Sequence, residues 1–132
     1  VRFTLKRKEI LRGSKNFEYL LETGKKFEGK LLRCYMTTKP REIKHSAPEV
    51  LAAFAVKKLI KRAVDRNTIR RRMREAYRLH KPMLLTDTQT PDRQILLFFV
   101  YPSPRNSGLT IPPYSSIRDD VLHIVTSITK VL

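Results

Sequence analysis

The chain has 132 residues, 28 of them Lys or Arg against 12 Asp or Glu, for a formal charge of +16. That length suits one compact core, and 41% hydrophobic with 30% charged residues excludes a wholly disordered tail. A single cysteine, Cys34, excludes an internal disulfide framework and a cysteine-built zinc site. The longest apolar run, Ile95 to Tyr101, is far too short to cross a bilayer. No apolar signal segment follows the basic N-terminus, so a soluble, cytoplasmic protein with a polyanionic partner is expected.

In chain order, Ser14 is placed to cap a first helix that carries Phe17, Leu20 and Leu21 on one face and closes at Gly24. From Lys25 to Thr38 the pattern is strand-like. Leu31, Arg33 and Tyr35 alternate with Leu32, Cys34 and Met36, and Gly29 marks a bend that divides the stretch in two. Residues 39–48, with Pro40 and Pro48, read as a loop, and Val50 to Val56 as a short buried strand. A helix is expected from Asp65 to about His80, ended by Pro82. Leu84 to Arg93 then reads as a loop and Ile95–Tyr101 as an interior strand. A second loop holds Pro102, Pro104, Pro112 and Pro113. The last helix opens at Ser116, with Asp119 completing a capping box, and aligns Ile117, Val121, Ile124, Ile128 and Val131 on one apolar face. The order αβββαβα describes an α+β sandwich of a sheet packed by helices. One domain over residues 1–132 is expected, with a basic, flexible stretch at 1–12.

The charge is concentrated. Between Lys57 and Lys81 lie 11 basic residues and two acidic ones, Asp65 and Glu75, so 25 residues carry +9 of the +16. A compact domain that tolerates such self-repulsion usually has a phosphate partner. Placed on a helix at about 100° per residue, Ile69, Met73, Ala76 and Tyr77 fall on one stripe. Asn67, Arg70, Arg71, Arg74 and Arg78 share the neighbouring arc. Arg72 stands apart from it, and Arg66 lies near the edge of the apolar stripe. The residues are mostly arginine, whose planar fork matches phosphate oxygens bidentately and stacks on bases.

The run Arg66-Asn67-Thr68-Ile69-Arg70-Arg71-Arg72-Met73-Arg74-Glu75 resembles the arginine-rich signature of the bacterial ribonuclease P protein family. Ala63-Val64, the pair Lys57-Lys58, Phe17, Gly24 and Tyr35 also stand where that family has them, and the likeness extends over about residues 5–132. The resemblance implies a small α+β domain with a left-handed βαβ crossover, against the usual hand. It further implies a protein with no catalytic residues and no metal site of its own, serving a catalytic RNA. That RNA uses magnesium to remove the 5′ leader of precursor tRNA. By the same analogy Lys61, Arg62, Arg66, Asn67, Arg70, Arg71, Arg74 and Arg78 face the catalytic RNA. Phe17, Leu21, Tyr35, Lys57 and Lys58 border a cleft for the single-stranded leader, where aromatic faces stack on bases. Leu21 replaces a residue that is often aromatic in relatives. No obligate protein partner and no membrane are implied. Two segments depart from the family pattern. Leu59-Ile60-Lys61-Arg62 is one residue longer than usual, and Tyr101-Pro102-Ser103-Pro104-Arg105 replaces an arginine-rich turn.

Other classes find less support in the residues. His45, His80 and His123 have no Asp, Glu or Cys at motif spacing, and each reads as a satisfied or solvated side chain. A protein-only nuclease needs clustered carboxylates for paired magnesium ions. Asp119-Asp120 and Asp87 with Asp92 are the only candidates, and capping or loop solvation explains them better. A membrane-surface helix would need an exposed apolar face beside the cationic one, and that face is committed to the sheet. A structural, ribosomal-type RNA-binding protein would share the charge and the helix, and precursor cleavage separates it from the family reading.

Overall fold

The computed structural model describes residues 10–11, 13–40, 50–57, 62–87, 93–102 and 111–131. Along the chain these form α1 (Ser14–Thr23), β1 (Lys25–Glu28), β2 (Arg33–Pro40), β3 (Val50–Val56), α2 (Ala63–Asp87), β4 (Arg93–Tyr101) and α3 (Tyr114–Val131). The expected αβββαβα order is therefore present. The strands make one four-stranded sheet in the order β1-β2-β4-β3, antiparallel except for the parallel pair β3–β4. Parallel neighbours need a crossover between them, and α2 is that crossover.

β4 lies between two strands, which explains its unbroken apolar run: both of its faces are covered. Ile95, Leu97, Phe99 and Tyr101 point to the side occupied by α2 and α3. There they form the main core with Cys34, Met36, Val50, Ala52, Ile69, Met73, Tyr77 and the buried stripe of α3. Leu96 and Phe98 point to the other side, where Leu20 of α1 and Leu11 close a smaller core with Ala53, bordered by Phe17, Tyr35 and Leu51. Cys34 lies wholly inside the main core, and burial pushes its thiol well above the ordinary value. Ile117, Val121, Ile124 and Ile128 are fully buried as their spacing requires, whereas Val131 at the end of the stripe is 51% exposed.

Helix ends differ from the sequence expectation in four places, the first being α2, which opens at Ala63 rather than Asp65. Ser14 is already the first residue of α1; Gly13 caps it, at a φ of 91° that favours glycine, with no side-chain cap. Gly24 does close the helix, its N–H donating to the Leu20 carbonyl at 2.8 Å. Pro82 does not end α2, which continues to Asp87, and Leu84 is helical rather than part of a loop. An interior proline costs about 3 kcal/mol. Complete burial of Leu84 returns roughly 1.5–3 kcal/mol, and Met83 packs against the same core, so tertiary contacts carry the helix past its breaker. β4 likewise starts at Arg93, inside the expected loop. Finally, α3 opens at Tyr114, and the N–H groups of Ser116 and Ile117 donate to the Pro113 carbonyl, so no capping box forms at Ser116.

Asp120 is the largest surprise. It is neither cap nor solvated loop residue but a buried carboxylate that reaches from α3 to the β1–β2 turn. Its Oδ1 accepts from the Lys30 N–H at 2.7 Å, and its Oδ2 accepts from Leu31 at 3.1 Å and Leu32 at 2.7 Å. Gly29 makes room for it: a Cβ there would stand 2.2 Å from Oδ1. Three backbone donors of a turn are thus satisfied by one side chain some ninety positions away. Asp120→Asn keeps the shape but sets an amide donor against turn N–H groups. It is expected to lower the unfolding free energy by about 2–3 kcal/mol in urea titrations. A change under about 0.5 kcal/mol would mean that water replaces the clamp without loss.

Candidate nucleic-acid interface

The burial of Ile69, Met73, Ala76 and Tyr77 turns the opposite side of α2 outward. Tyr77 packs against both Phe54 and Phe99, with ring centroids 5.6 and 5.7 Å away, and those two rings stack on each other at 5.6 Å. With that rotation set, Asn67, Arg71 and Arg74 are exposed and Arg66, Arg70 and Arg78 are half-buried along the same side, as their helical spacing predicts. Arg62 precedes the helix and is exposed, its Nε 4.0 Å from Asp65 in the first turn. There the Asp65 carboxylate favours the helix dipole; it lies inside the helix and does not cap it.

These cations are not equivalent. Arg70 Nη1 donates to Asn67 Oδ1 at 2.9 Å. Arg78 Nε donates to Glu75 Oε2 at 3.1 Å, and a second, shorter hydrogen bond joins the same two groups. Those bonds hold the Glu75 carboxyl below its ordinary range and the Arg78 guanidinium above its own. Arg71 and Arg74 have no hydrogen-bond or ion-pair partner among the described residues. Arg72, set apart by its helical angle, donates to the Pro112 carbonyl at 2.7 Å and ties α2 to the approach of α3. The arginine block therefore divides into one structural side chain and a solvent-facing group.

On the opposite face of the sheet, Phe17 of α1 meets Phe98 of β4 edge-on at 5.1 Å, and Tyr35 of β2 stacks near Phe98 at 6.3 Å. All three are half-buried. Phe17 and Tyr35, paired only by resemblance in the sequence, are joined here through Phe98. Sequence reading gave Phe98 to the core with its whole run; the alternation Phe98/Phe99 is the signal that the two rings part to opposite faces. Leu21 is 56% exposed on α1 and belongs to neither core cluster. Lys57 is exposed at the end of β3, where its N–H donates to the Tyr101 carbonyl at 3.2 Å. Lys58 and Lys61 lie outside the described residues, as do Leu59, Ile60 and Ser103–Arg105 of the two unusual segments. In the sequence Arg33 belongs only to a strand pattern. It shares the Tyr35 face two positions away, with Glu28 Oε1 at 3.3 Å from its Nε.

The remaining polar candidates are occupied structurally or stand alone. His80 Nδ1 lies 2.8 Å from the Ala76 carbonyl and so carries the proton there. Asp119 pairs with Arg118 at 3.2 Å, and Asp120 is the clamp described above. His45 and Asp92 lie outside the described residues. Among the described residues no three His, Cys, Asp or Glu side chains are grouped to hold a metal ion, and no helix is long and apolar enough to cross a membrane.

Known proteins share this fold. The profile of the family described as Ribonuclease P matches residues 5–104. The ribonuclease P protein component of Chlorobaculum tepidum is 36% identical over 129 residues, covering 94% of this chain and 82% of the relative. That of Chlorobium phaeobacteroides is 30% identical over 131 residues, covering 95% and 88%. Among solved structures, the RNase P protein of Thermotoga maritima superposes with a TM-score of 0.66 at 16% identity, over 90% of this chain and 96% of the other. The Staphylococcus aureus RNase P protein does so with a TM-score of 0.60 at 15% identity, over 91% and 94%. At such identities the structures speak for the fold, while the family profile and the two sequence relatives speak for descent. By both measures the chain belongs to the bacterial ribonuclease P protein family.

Proposed function

We propose that this chain works as the accessory subunit of a ribonucleoprotein in which the RNA performs the chemistry. The α2 arginines hold the catalytic RNA, and the α1–sheet cleft holds the single-stranded 5′ leader of precursor tRNA. The observation that carries this reading is the outward row of cations on α2, in which Arg71 and Arg74 are left unpaired among the described residues. Phosphate oxygens are the partners such a row lacks. Arg66, Asn67, Arg70, Arg78 and Arg62 extend the row, with Lys61 beside it in sequence. In the cleft, Phe17, Tyr35 and Phe98 offer π-faces to leader bases without demanding a particular base. Leu21 contributes an apolar rim, and Lys57 with Lys58 neutralises passing phosphates. Magnesium belongs on this reading to the RNA, where it activates the water that hydrolyses the phosphodiester. The protein's share is to fix the two RNAs relative to each other and to lower their mutual repulsion. Such work suits the cytoplasm, where precursor tRNA is made, and asks for no further protein partner.

The deciding experiment is cleavage of a leader-bearing precursor tRNA at low magnesium by a bacterial ribonuclease P RNA, with and without this protein. Correct 5′ cleavage restored only by the mixture is expected. Cleavage by the protein alone would overturn the division of labour, and tight RNA binding without any effect on cleavage would favour a structural RNA-binding role. Affinity for the catalytic RNA should fall by decades over a few-fold rise in salt. Arg71→Ala with Arg74→Ala should reduce the slope of log affinity against log salt by about two while leaving the melting transition cooperative. An unchanged slope would remove those side chains from the interface. Phe17→Ala should weaken precursor binding by about 1–3 kcal/mol and leave mature tRNA binding as it was. Equal losses for both ligands would refute stacking on the leader.

A further inference from the structure

The sheet face beneath α1 has an end that α1 does not reach. Among the described residues, α1 touches Thr37 through Thr23, the Thr38 carbonyl through Tyr19, Lys39 through Asn16 and Phe98 through Phe17. Its Leu20 packs in the small core with Leu96 and Ala53. None of these partners lies in the row of Arg33. Along β2 the residues Thr37, Tyr35 and Arg33 share this face in successive rows about 7 Å apart. Tyr35 is paired with Phe98 and Arg33 with Val100, and on β3 Ala53 and Ala55 occupy the same two rows. The floor of the second row is therefore low and apolar. Arg33 stands on one side of it, and Lys57 follows Ala55 on the other. A single strand with a base stacked at Tyr35 and Phe98 meets α1 in one direction. In the other it passes over Arg33. The step between rows is close to the distance between successive nucleotides of an extended strand.

Arg33 is held over that row but not saturated. Its side chain is 30% exposed. Glu28, opposite it on β1, places Oε1 3.3 Å from Arg33 Nε and 3.2 Å from Lys26 Nζ, and that carboxylate's side chain is 46% exposed. The Arg33 Nε makes no hydrogen bond, so the Glu28 contact is electrostatic and exchangeable. The neighbouring Tyr35 hydroxyl, and the Glu28 charge after it, hold the guanidinium above its ordinary value. A half-exposed carboxylate shared with Lys26, and a planar fork that matches phosphate oxygens bidentately, favour a phosphate as the stronger partner.

Building on the cleft reading, we infer that Arg33 binds the phosphodiester of the leader nucleotide next to the one stacked at Tyr35, and that Glu28 sets the strength of this contact by competing with the phosphate. The carboxylate repels the leader and occupies its cation, so the two residues act with opposite signs. The test uses the holoenzyme reconstituted with a catalytic RNA, a series of precursors with leaders shortened one nucleotide at a time, and mature tRNA. Arg33→Gln should lower precursor affinity about three- to tenfold and reduce the salt slope by about one, only for leaders that reach beyond the stacked base. Glu28→Gln should raise affinity for the same leaders. Neither should alter mature tRNA binding. An Arg33→Gln profile identical to wild type at every leader length would overturn the inference. So would a loss of affinity in Glu28→Gln, which would make the pair a structural brace. If the wild-type holoenzyme itself bound precursor and mature tRNA alike, the cleft reading would fall first, an outcome distinct from a failure at Arg33 alone.

Discussion

Tyr77 packs against the stacked rings of Phe54 and Phe99 in a cluster of three, and that packing fixes the rotation of α2 about its own axis. Everything polar on the helix follows from it. With Ile69, Met73 and Ala76 buried on the same stripe, no other rotation keeps the core filled. The arginines are thus directed outward by the hydrophobic side of their own helix, not by contacts among themselves. A rigid helix also presents its guanidinium groups at fixed spacing, so less ordering entropy is lost when a partner arrives.

The charge of the chain is accommodated by division. Some cations are paired locally: Arg72 with the Pro112 carbonyl, Arg78 with Glu75 and Lys26 with Glu28, which Arg33 shares only in part. Others remain exposed on α2. Two surfaces result, one on the outer side of the crossover helix and one on the far face of the sheet, with the main core between them. On the proposed reading, two RNA elements are held at once without crossing each other's path. The core between them transmits position rather than chemistry.

How much of this was legible in the sequence depends on the range of the forces involved. Strand β3 and the apolar interior of β4 were readable because burial on both faces leaves unbroken apolar runs, and the buried stripe of α3 because 3.6-residue spacing is local. The signature over Arg66–Glu75 was readable as both a helix and a family mark. Pro82 marks a helix end locally and carries no sign of Leu84, whose burial depends on a core assembled from distant strands. Asp120 was not legible at all. Its partners are backbone N–H groups of Lys30, Leu31 and Leu32, and no residue type marks a backbone donor in advance. The Arg33–Glu28 pair escaped for a related reason: it spans a hairpin whose register follows from Gly29 and the Asp120 clamp rather than from a turn motif.

The two margins of the sheet are guarded by different means. β1 has only four residues and opens with Lys25 and Lys26 side by side, both exposed. A second such margin approaching it would bring like charges together. The margin of β3 is apolar, and there Ile10 bridges Ala52 while the Leu11 N–H donates to the Ala52 carbonyl at 2.8 Å. A few residues ahead of α1 thus act as a selvedge on a strand rich in Val, Leu, Ala and Phe. Without that strip, β3 would offer free carbonyls and N–H groups on an uncharged edge, the usual template for uncontrolled strand addition between molecules. Resistance of the β3 margin to pairing with another molecule therefore rests on Leu11, as that of the β1 margin rests on its lysines.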